Sequence, residues 1–282
     1  MPDILDNPMQ VLDIMREVAD TEILPRFNKL AHHEISEKKP GDLVTIADKD
    51  SEAALRRHLT ALLPKSRFVG EEGYESDHGM LRVLGEPGPV WIVDPVDGTH
   101  NFAHGKSPFT VIVALAVDQI IEAGWIIDPV AGDAAWAVRG AGTSYMDASG
   151  PVSQPRHPTK SFEEGTMTAG PKLQSRIARA AKELGMIKPR LTARYRCVGR
   201  EYMDVALGAL DYARYGGLLK PWDHAAGTLI VEEAGGRARR IDADTPYTLT
   251  ASLKTQSLGV VGATRHWATF ETLARRADEL AA

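Results

Sequence analysis

The chain has one cysteine in 282 residues, Cys197, so no internal disulfide can form and a reducing compartment is expected. Long apolar runs are also missing. Asp or Glu interrupts each hydrophobic stretch well short of the roughly 20 residues that a membrane-spanning helix needs. Positive charge is not in excess: 33 basic side chains face 38 acidic ones, a net charge of −5. A nucleic-acid partner, which needs a basic face, is therefore not expected. The opening residues, Met1-Pro2-Asp3-Ile4-Leu5-Asp6-Asn7, show no basic region followed by an apolar one. No secretory leader and no membrane association are expected, and residence is expected to be cytoplasmic.

What is present is ordinary globular composition, 43% hydrophobic and 25% charged, long enough for one large core or two intimately packed halves. Apolar positions Val11, Ile14, Met15, Val18, Ala19 and Ile23 recur at helical spacing, predicting a helix over about 7–30 that Pro25 kinks or ends. The polar stretch 34–42, with Lys38-Lys39-Pro40-Gly41, reads as a mobile loop. A second helix is predicted over 47–63. Two short strands, 67–69 and 90–93, each run straight into acids. Strands at 110–117, 120–127, 134–138 and 143–146 then predict an antiparallel meander. A polar, proline-rich stretch at 149–160 separates this from a half that alternates strand and helix, ending in a strand at 258–262 and a helix over 266–280. One domain is expected over 1–282, with halves at 1–150 and 151–282, of α+β or layered α/β type.

The chemistry is concentrated in Asp94-Pro95-Val96-Asp97-Gly98-Thr99. Two carboxylates three positions apart cannot lie on one face of a regular strand, and Pro95 both fixes its own φ and removes a donor. The chain must bend there, which can turn Asp94, Asp97 and the Val96 carbonyl toward one point. An all-oxygen donor set suits a hard cation such as Mg²⁺. Three more acids stand at strand ends or helix starts: Asp48 after Asp42-Leu43-Val44-Thr45, Glu71 in Gly70-Glu71-Glu72-Gly73, and Asp223 in Trp222-Asp223-His224-Ala225-Ala226-Gly227. Singly, each could be a helix cap or a solvated turn. Together they form a pattern.

Gly70-Glu71-Glu72, the segment from Trp91 through Phe102, Trp222-Asp223-His224-Ala225-Ala226-Gly227 and Glu233-Ala234-Gly235-Gly236 resemble, in order and spacing, the inositol monophosphatase family. The likeness covers nearly the whole chain. It implies the layered αβαβα sandwich shared with fructose-1,6-bisphosphatase, and Mg²⁺-dependent hydrolysis of a small phosphate monoester by in-line attack of water. It also implies two or three Mg²⁺ ions: one on Glu71, Asp94 and the Val96 carbonyl, one bridged by Asp94 with Asp97 and Asp223, and a weaker third at Glu71. Thr99 and Asp48 would orient and deprotonate the water, with Glu71 assisting, while the backbone N–H groups of Gly98 and Thr99 hold phosphate. Lithium sensitivity and a homodimer are further implications.

Bound cations would also resolve a conflict, since an acidic protein otherwise repels a phosphate. Substrate contacts are expected at Asp97, Gly98, Thr99 and Asp223, with Arg200 and Lys38 as additional candidates. The family's small-residue stretch is replaced by Gly199-Arg200-Glu201-Tyr202, and Arg214 and Tyr215 stand near a position that commonly contacts inositol. The substrate is thus an inositol phosphate or, alternatively, a nucleotide 3′-phosphate, a sugar phosphate or histidinol phosphate. A regulatory binding protein that keeps the fold is the reading from another class. His100 and His104 are poor Mg²⁺ ligands, expected at the surface or behind the site. Trp91 and Trp222 are expected to pack beside the acids, His224 to line the pocket or begin a helix, and Cys197 to be a buried thiol.

Overall fold

The computed structural model describes residues 2–39, 41–152 and 160–281. Most of the predicted separator (153–159) and Pro40 of the predicted loop lie outside the described residues. The chain begins with helices α1 (Pro2–Asp6) and α2 (Met9–Val18), and α2 continues into a π turn (Ala19–Ile23) and a 3-10 turn (Leu24–Arg26). The single helix predicted over 7–30 is therefore several pieces. Pro25 accounts for the ending: it has no N–H to donate, and Phe27 is already extended at φ −60°, ψ 128°.

The predicted loop at 34–42 is instead an antiparallel hairpin, β1 (Ile35–Lys39) with β2 (Asp42–Thr45). Its polar first strand carries no apolar alternation, which is why the sequence reads as loop; Gly41, with φ 83°, lies between the strands. Next come α3 (Ile46–Leu62), β3 (Arg67–Gly70), α4 (Glu71–Ser76), β4 (Pro89–Asp97) and α5 (Thr99–Ala103). The predicted meander follows as β5 (Thr110–Val117), β6 (Ile120–Asp128), β7 (Asp133–Val138) and β8 (Gly142–Asp147), extended by β9 (Gly150–Val152). The remainder is β10 (Thr166–Thr168), α6 (Pro171–Leu184), β11 (Arg190–Thr192), α7 (Val198–Leu207), β12 (Tyr212–Leu218) and α8 (Pro221–Glu233), then β13 (Arg237–Arg240), β14 (Thr245–Pro246), β15 (Thr255–Val261) and α9 (Trp267–Glu279).

Among the described residues the strands form two large sheets besides the hairpin. The first has seven strands in the order β3 to β9, antiparallel except for the β3–β4 pair. The second has the order β11-β10-β12-β15-β13-β14, with its first three strands parallel. Both faces of the first sheet are covered, so its strands read as nearly continuous apolar runs. On β4, Trp91 and Val93 point to one side, into a cluster with Val11 and Met15 of α2 and Leu55 of α3. Val90 and Ile92 point to the other, against Tyr202 of α7 and Leu229 of α8, in a cluster that also takes Ala213, Ala238 and Leu258 from the second sheet. The far face of the second sheet packs Met167 and Tyr212 against Ile177 of α6 and Phe270 of α9. Helix, sheet, helix, sheet, helix is the layered αβαβα order the resemblance implies.

The small residues of Ala225-Ala226-Gly227 have a packing reason. A Cβ on Gly124 of β6 would come within 2.7 Å of the Ala226 Cα, and one on Gly227 would lie 2.2 Å from the Tyr202 ring. Helix α8 thus sits directly on β6 and α7, and this close approach sets where Asp223, on its first turn, is held. Gly124→Ala should destabilise the protein by about 1–3 kcal/mol through overpacking, read as a lower urea midpoint. An unchanged midpoint would contradict this close contact.

Candidate active site

The site begins at a fault in β4. Asp94 pairs with Ile112 and Asp97 with Thr110, so three steps along β4 oppose two along β5, and one residue is extra. This β-bulge is the bend required by Asp94-Pro95-Val96-Asp97, and it lets both acids meet the same cleft. The Val96 N–H donates to Asp94 Oδ1 at 3.1 Å. Immediately after, Gly98 adopts φ 94°, where a Cβ would crowd the carbonyl oxygens of Arg196 and Pro108 at 3.2 Å.

Glu71, Asp94 and Asp223 each place one carboxylate oxygen within 4.8 Å of the others. They line one cleft of about 180 Å³ together with Val96, Asp97, Gly98 and Thr99. Each acid is fixed by a different device. Glu71 opens α4, whose backbone N–H groups at Glu72 and Gly73 donate to buried Glu52 at 2.7 and 2.9 Å. Its own Oε1 accepts from Lys220 Nζ at 3.0 Å and is 3.4 Å from Lys38 Nζ. Asp97 Oδ2 accepts from the Gly199 N–H at 2.6 Å, Thr110 Oγ1 at 3.0 Å and Cys197 Sγ at 3.2 Å. Cys197 is buried as expected, but it serves Asp97 rather than simply filling space.

Asp48 is the third residue of the capping box at the start of α3, with Thr45 as the N-cap. The Thr45 N–H and Oγ1 donate to Asp48 Oδ2 at 2.8 and 2.5 Å. Thr99 Oγ1 lies 3.0 Å from Asp48 Oδ1 and 2.9 Å from the Val96 carbonyl, two acceptors for its one proton. A helix-capping role and a hydroxyl–carboxylate pair therefore coexist at Asp48.

The electrostatics are those of acids forced together. Burial, then the charges of Glu71, Asp97 and Asp223, pushes Asp94 well above the usual carboxylate range. Burial also pushes Asp223 up to about 8, with Glu71 and Asp97 adding to the rise and Lys220 opposing it. Burial works against ionised Glu71 too, yet Lys220 and Lys38 hold it below its usual value. Burial raises Asp48 to about 6 against the hydrogen bonds from Thr45 and Thr99. Burial lowers His224 to about 3, helped by Arg194 and Lys220, and leaves a neutral ring beside the Tyr202 hydroxyl at 3.0 Å.

Several expectations need correction. Arg200 does not reach the cleft. Adjacent helix positions point about 100° apart, so while Gly199 faces Asp97, Arg200 turns toward Asp133 at 2.7 Å, Asp204 at 2.8 Å and Asp128 at 3.6 Å. Glu201 is buried and paired with Arg194 at 2.5 Å, so it adds no charge to the pocket. Arg214 pairs with Asp278 at 2.5 Å, and Tyr215 packs between Tyr202 and His224. Lys38 belongs to a strand and is tied to Glu71 and to Glu72 at 2.5 Å. His100 keeps the surface position expected of it, at the exposed edge of the cleft.

The sequence reading also missed Lys220 and Arg196, both of which line the cleft. Lys220 had a signal, since it is the N-cap just before Pro221, three residues ahead of Asp223. Arg196 had none: it arrives through a left-handed turn, φ 57°, with its NH1 2.9 Å from His100 Nε2.

A layered sandwich with carboxylates gathered around a strand bulge defines a class, and the comparisons identify it. The model of the inositol monophosphatase family matches residues 9–281, and the chain belongs to that family, as a phosphatase. It is 33% identical to inositol monophosphatase 2 of Solanum lycopersicum over 74% of this chain and 78% of that one. It is 30% identical to the histidinol-phosphatase of Chlorobaculum parvum over 72% and 74%. A solved IMPase/NADP phosphatase complexed with Mg²⁺ and phosphate has the same fold, with a TM-score of 0.75, 17% identity and 96% of each chain covered. Among the described residues, no helix is long and apolar enough to cross a membrane.

The raised acids give a test by linkage. Asp223 titrates near 3.8 in an unfolded chain and near 8 when folded. Its contribution to stability is full below the lower value and is lost as pH rises through the upper one. In chelator, the melting temperature should therefore fall between about pH 4 and pH 8, and Asp94→Asn should flatten that fall. A wild-type melting profile independent of pH would refute the crowding.

Proposed function

We propose that this chain is a Mg²⁺-dependent phosphatase that hydrolyses a small phosphate monoester of the inositol monophosphate kind. The observation that carries the reading is the convergence of Glu71, Asp94 and Asp223 on a cleft that also holds Thr99 and, behind it, Asp48. The donor set fits the ion: every candidate ligand is oxygen, and the burial and mutual repulsion that raise Asp94 and Asp223 are what a bound dication offsets. Glu71, Asp94 and the Val96 carbonyl would hold one ion and Asp94, Asp97 and Asp223 a second, with a third at Glu71. Such ions supply neutralisation of the phosphate dianion, a more acidic attacking water and a stabilised leaving oxygen.

The chain's own groups do the rest. The Thr99 hydroxyl and Asp48 carboxylate orient the water, and Asp48 takes its proton as the water oxygen bonds to phosphorus and the ester P–O bond breaks opposite it. Backbone N–H groups of Gly98 and Thr99 hold phosphate oxygens. Arg196 and Lys220 give the cleft a positive lining that the net charge of the protein hides. The complete set of acids favours a working enzyme over a binding protein that keeps only the fold. The family resemblance further supports a cytoplasmic homodimer.

Four outcomes are expected from a phosphate-release assay on inositol 1-phosphate. Activity requires Mg²⁺ and is lost in Asp94→Asn, and hydrolysis by the Asp94→Asn variant at the wild-type rate would overturn the reading. Thr99→Ala lowers kcat by roughly 10²–10⁴-fold, the usual size of general-base assistance. Since Asp48 acts as a base, kcat/KM rises with pH through about 6, and Asp48→Asn removes that limb together with most of the rate. Li⁺ should inhibit at the second ion position, and full activity in high Li⁺ would exclude the lithium-sensitive assignment.

A further inference from the structure

Beside the acidic cleft lies a larger pocket of opposite character. It has a volume of about 500 Å³, and its lining includes Gly170, Lys172, Arg176, Arg194, Arg214 and Gly216, with no carboxylate. Two of its four cations are balanced, Arg194 by Glu201 and Arg214 by Asp278, each at 2.5 Å. Lys172 and Arg176 have no ion pair among the described residues. The buried Nε atoms of Arg176 and Arg214 have no hydrogen-bond partner there either.

The position of the unbalanced pair is unfavourable in three separate ways. Lys172 and Arg176 are four apart on α6, the spacing at which like charges repel. They occupy the first turns of a 14-residue helix, where the backbone dipole already presents positive charge. That first turn has no acidic residue and no side-chain cap, so its free N–H groups add to the same field. An anion in the pocket relieves all three at once. Local conflicts of this kind accumulate where a ligand completes the structure.

The pocket is also close to the acids. Arg194 lines it and Arg196, two residues on, lines the acidic cleft, so their Cα atoms are at most about 7 Å apart. Likewise β12 runs from Arg214 and Gly216 on this pocket toward Lys220 on the other. Neighbouring stretches of chain, 194–196 and 214–220, therefore border both pockets.

We infer that this pocket takes a second phosphate group of the substrate, so that the preferred substrate is a small bisphosphate hydrolysed at one of its two esters. The inference rests on the phosphatase reading above and deepens it. The second phosphate sits on Lys172, Arg176 and the first turn of α6 while the first is cleaved at the acids. Charge-assisted contacts of this kind hold a dianion through several donors at once.

The test compares kcat/KM in Mg²⁺ for inositol 1,4-bisphosphate against inositol 1-phosphate, and for adenosine 2′,5′-bisphosphate against adenosine 2′-phosphate. The wild-type protein should favour the bisphosphate by at least about tenfold in one pair or both. Arg176→Gln should cut that preference by about tenfold, mainly through KM, and Arg176→Lys should restore most of it. Near-equal rates within both pairs would overturn this inference and leave the phosphatase reading standing. No hydrolysis of any of the four would overturn both. The wild-type ratio decides the matter even if a variant fails to fold.

Discussion

The structure depends on a repulsion that it has to contain. Glu71, Asp94, Asp97 and Asp223 face one small cleft, three of them with oxygens within 4.8 Å of each other, and burial denies them the water that would screen their charge. The fold answers by tethering three of the four. Asp97 is gripped by a backbone N–H, a hydroxyl and a thiol; Asp94 by the N–H of Val96; Glu71 by two ammonium groups. The strand bulge, the left-handed Gly98 and the bare Gly199 all follow from holding these groups still at short range. A Cβ at Gly199 would lie 2.3 Å from the Thr110 hydroxyl, which is itself one of the groups holding Asp97.

The acids come from different layers. Asp94 and Asp97 ride on a strand of the seven-stranded sheet and Glu71 on a short helix capped by Glu52, whereas Asp223 is carried by a helix wedged between the sheets. The cations that face them come from equally distant places: Lys38 from a hairpin near the N-terminus, Arg196 from a left-handed turn, Lys220 from the end of a loop. No short segment of the chain could make this arrangement alone. Its accuracy is borrowed from the packing of two sheets on shared helices, with Ala226 against Gly124 and Tyr202 against Gly227 as close points of contact.

Much of this was legible in the sequence, because the relevant signals were local. Asp94-Pro95-Val96-Asp97 announced a bend, and the structure has a bulge there. The alternation of strands and helices pointed to an α+β or layered α/β class, and the family resemblance implied the five layers. What escaped was non-local or hidden by composition. The strand Ile35–Lys39 reads as loop because its residues are polar, and β13 (Arg237–Arg240) is almost wholly arginine. Arg200 was misplaced because one step along a helix turns a side chain by about 100°, and sequence adjacency to Gly199 says nothing about that. Arg196 and His100 meet across 96 residues of chain, and no pattern in the sequence connects them.

The 194–201 segment has a wider consequence. Its backbone and Cys197 secure Asp97, its Glu201 locks Arg194, and Arg194 and Arg196 border different pockets. Relatives could exchange side chains at the two arginines and so alter what is admitted, while the amide at Gly199 goes on steadying the acid whatever replaces them. Selectivity can drift in such a scaffold without disturbing the hydrolytic apparatus, because a main-chain group is indifferent to the residues on either side of it.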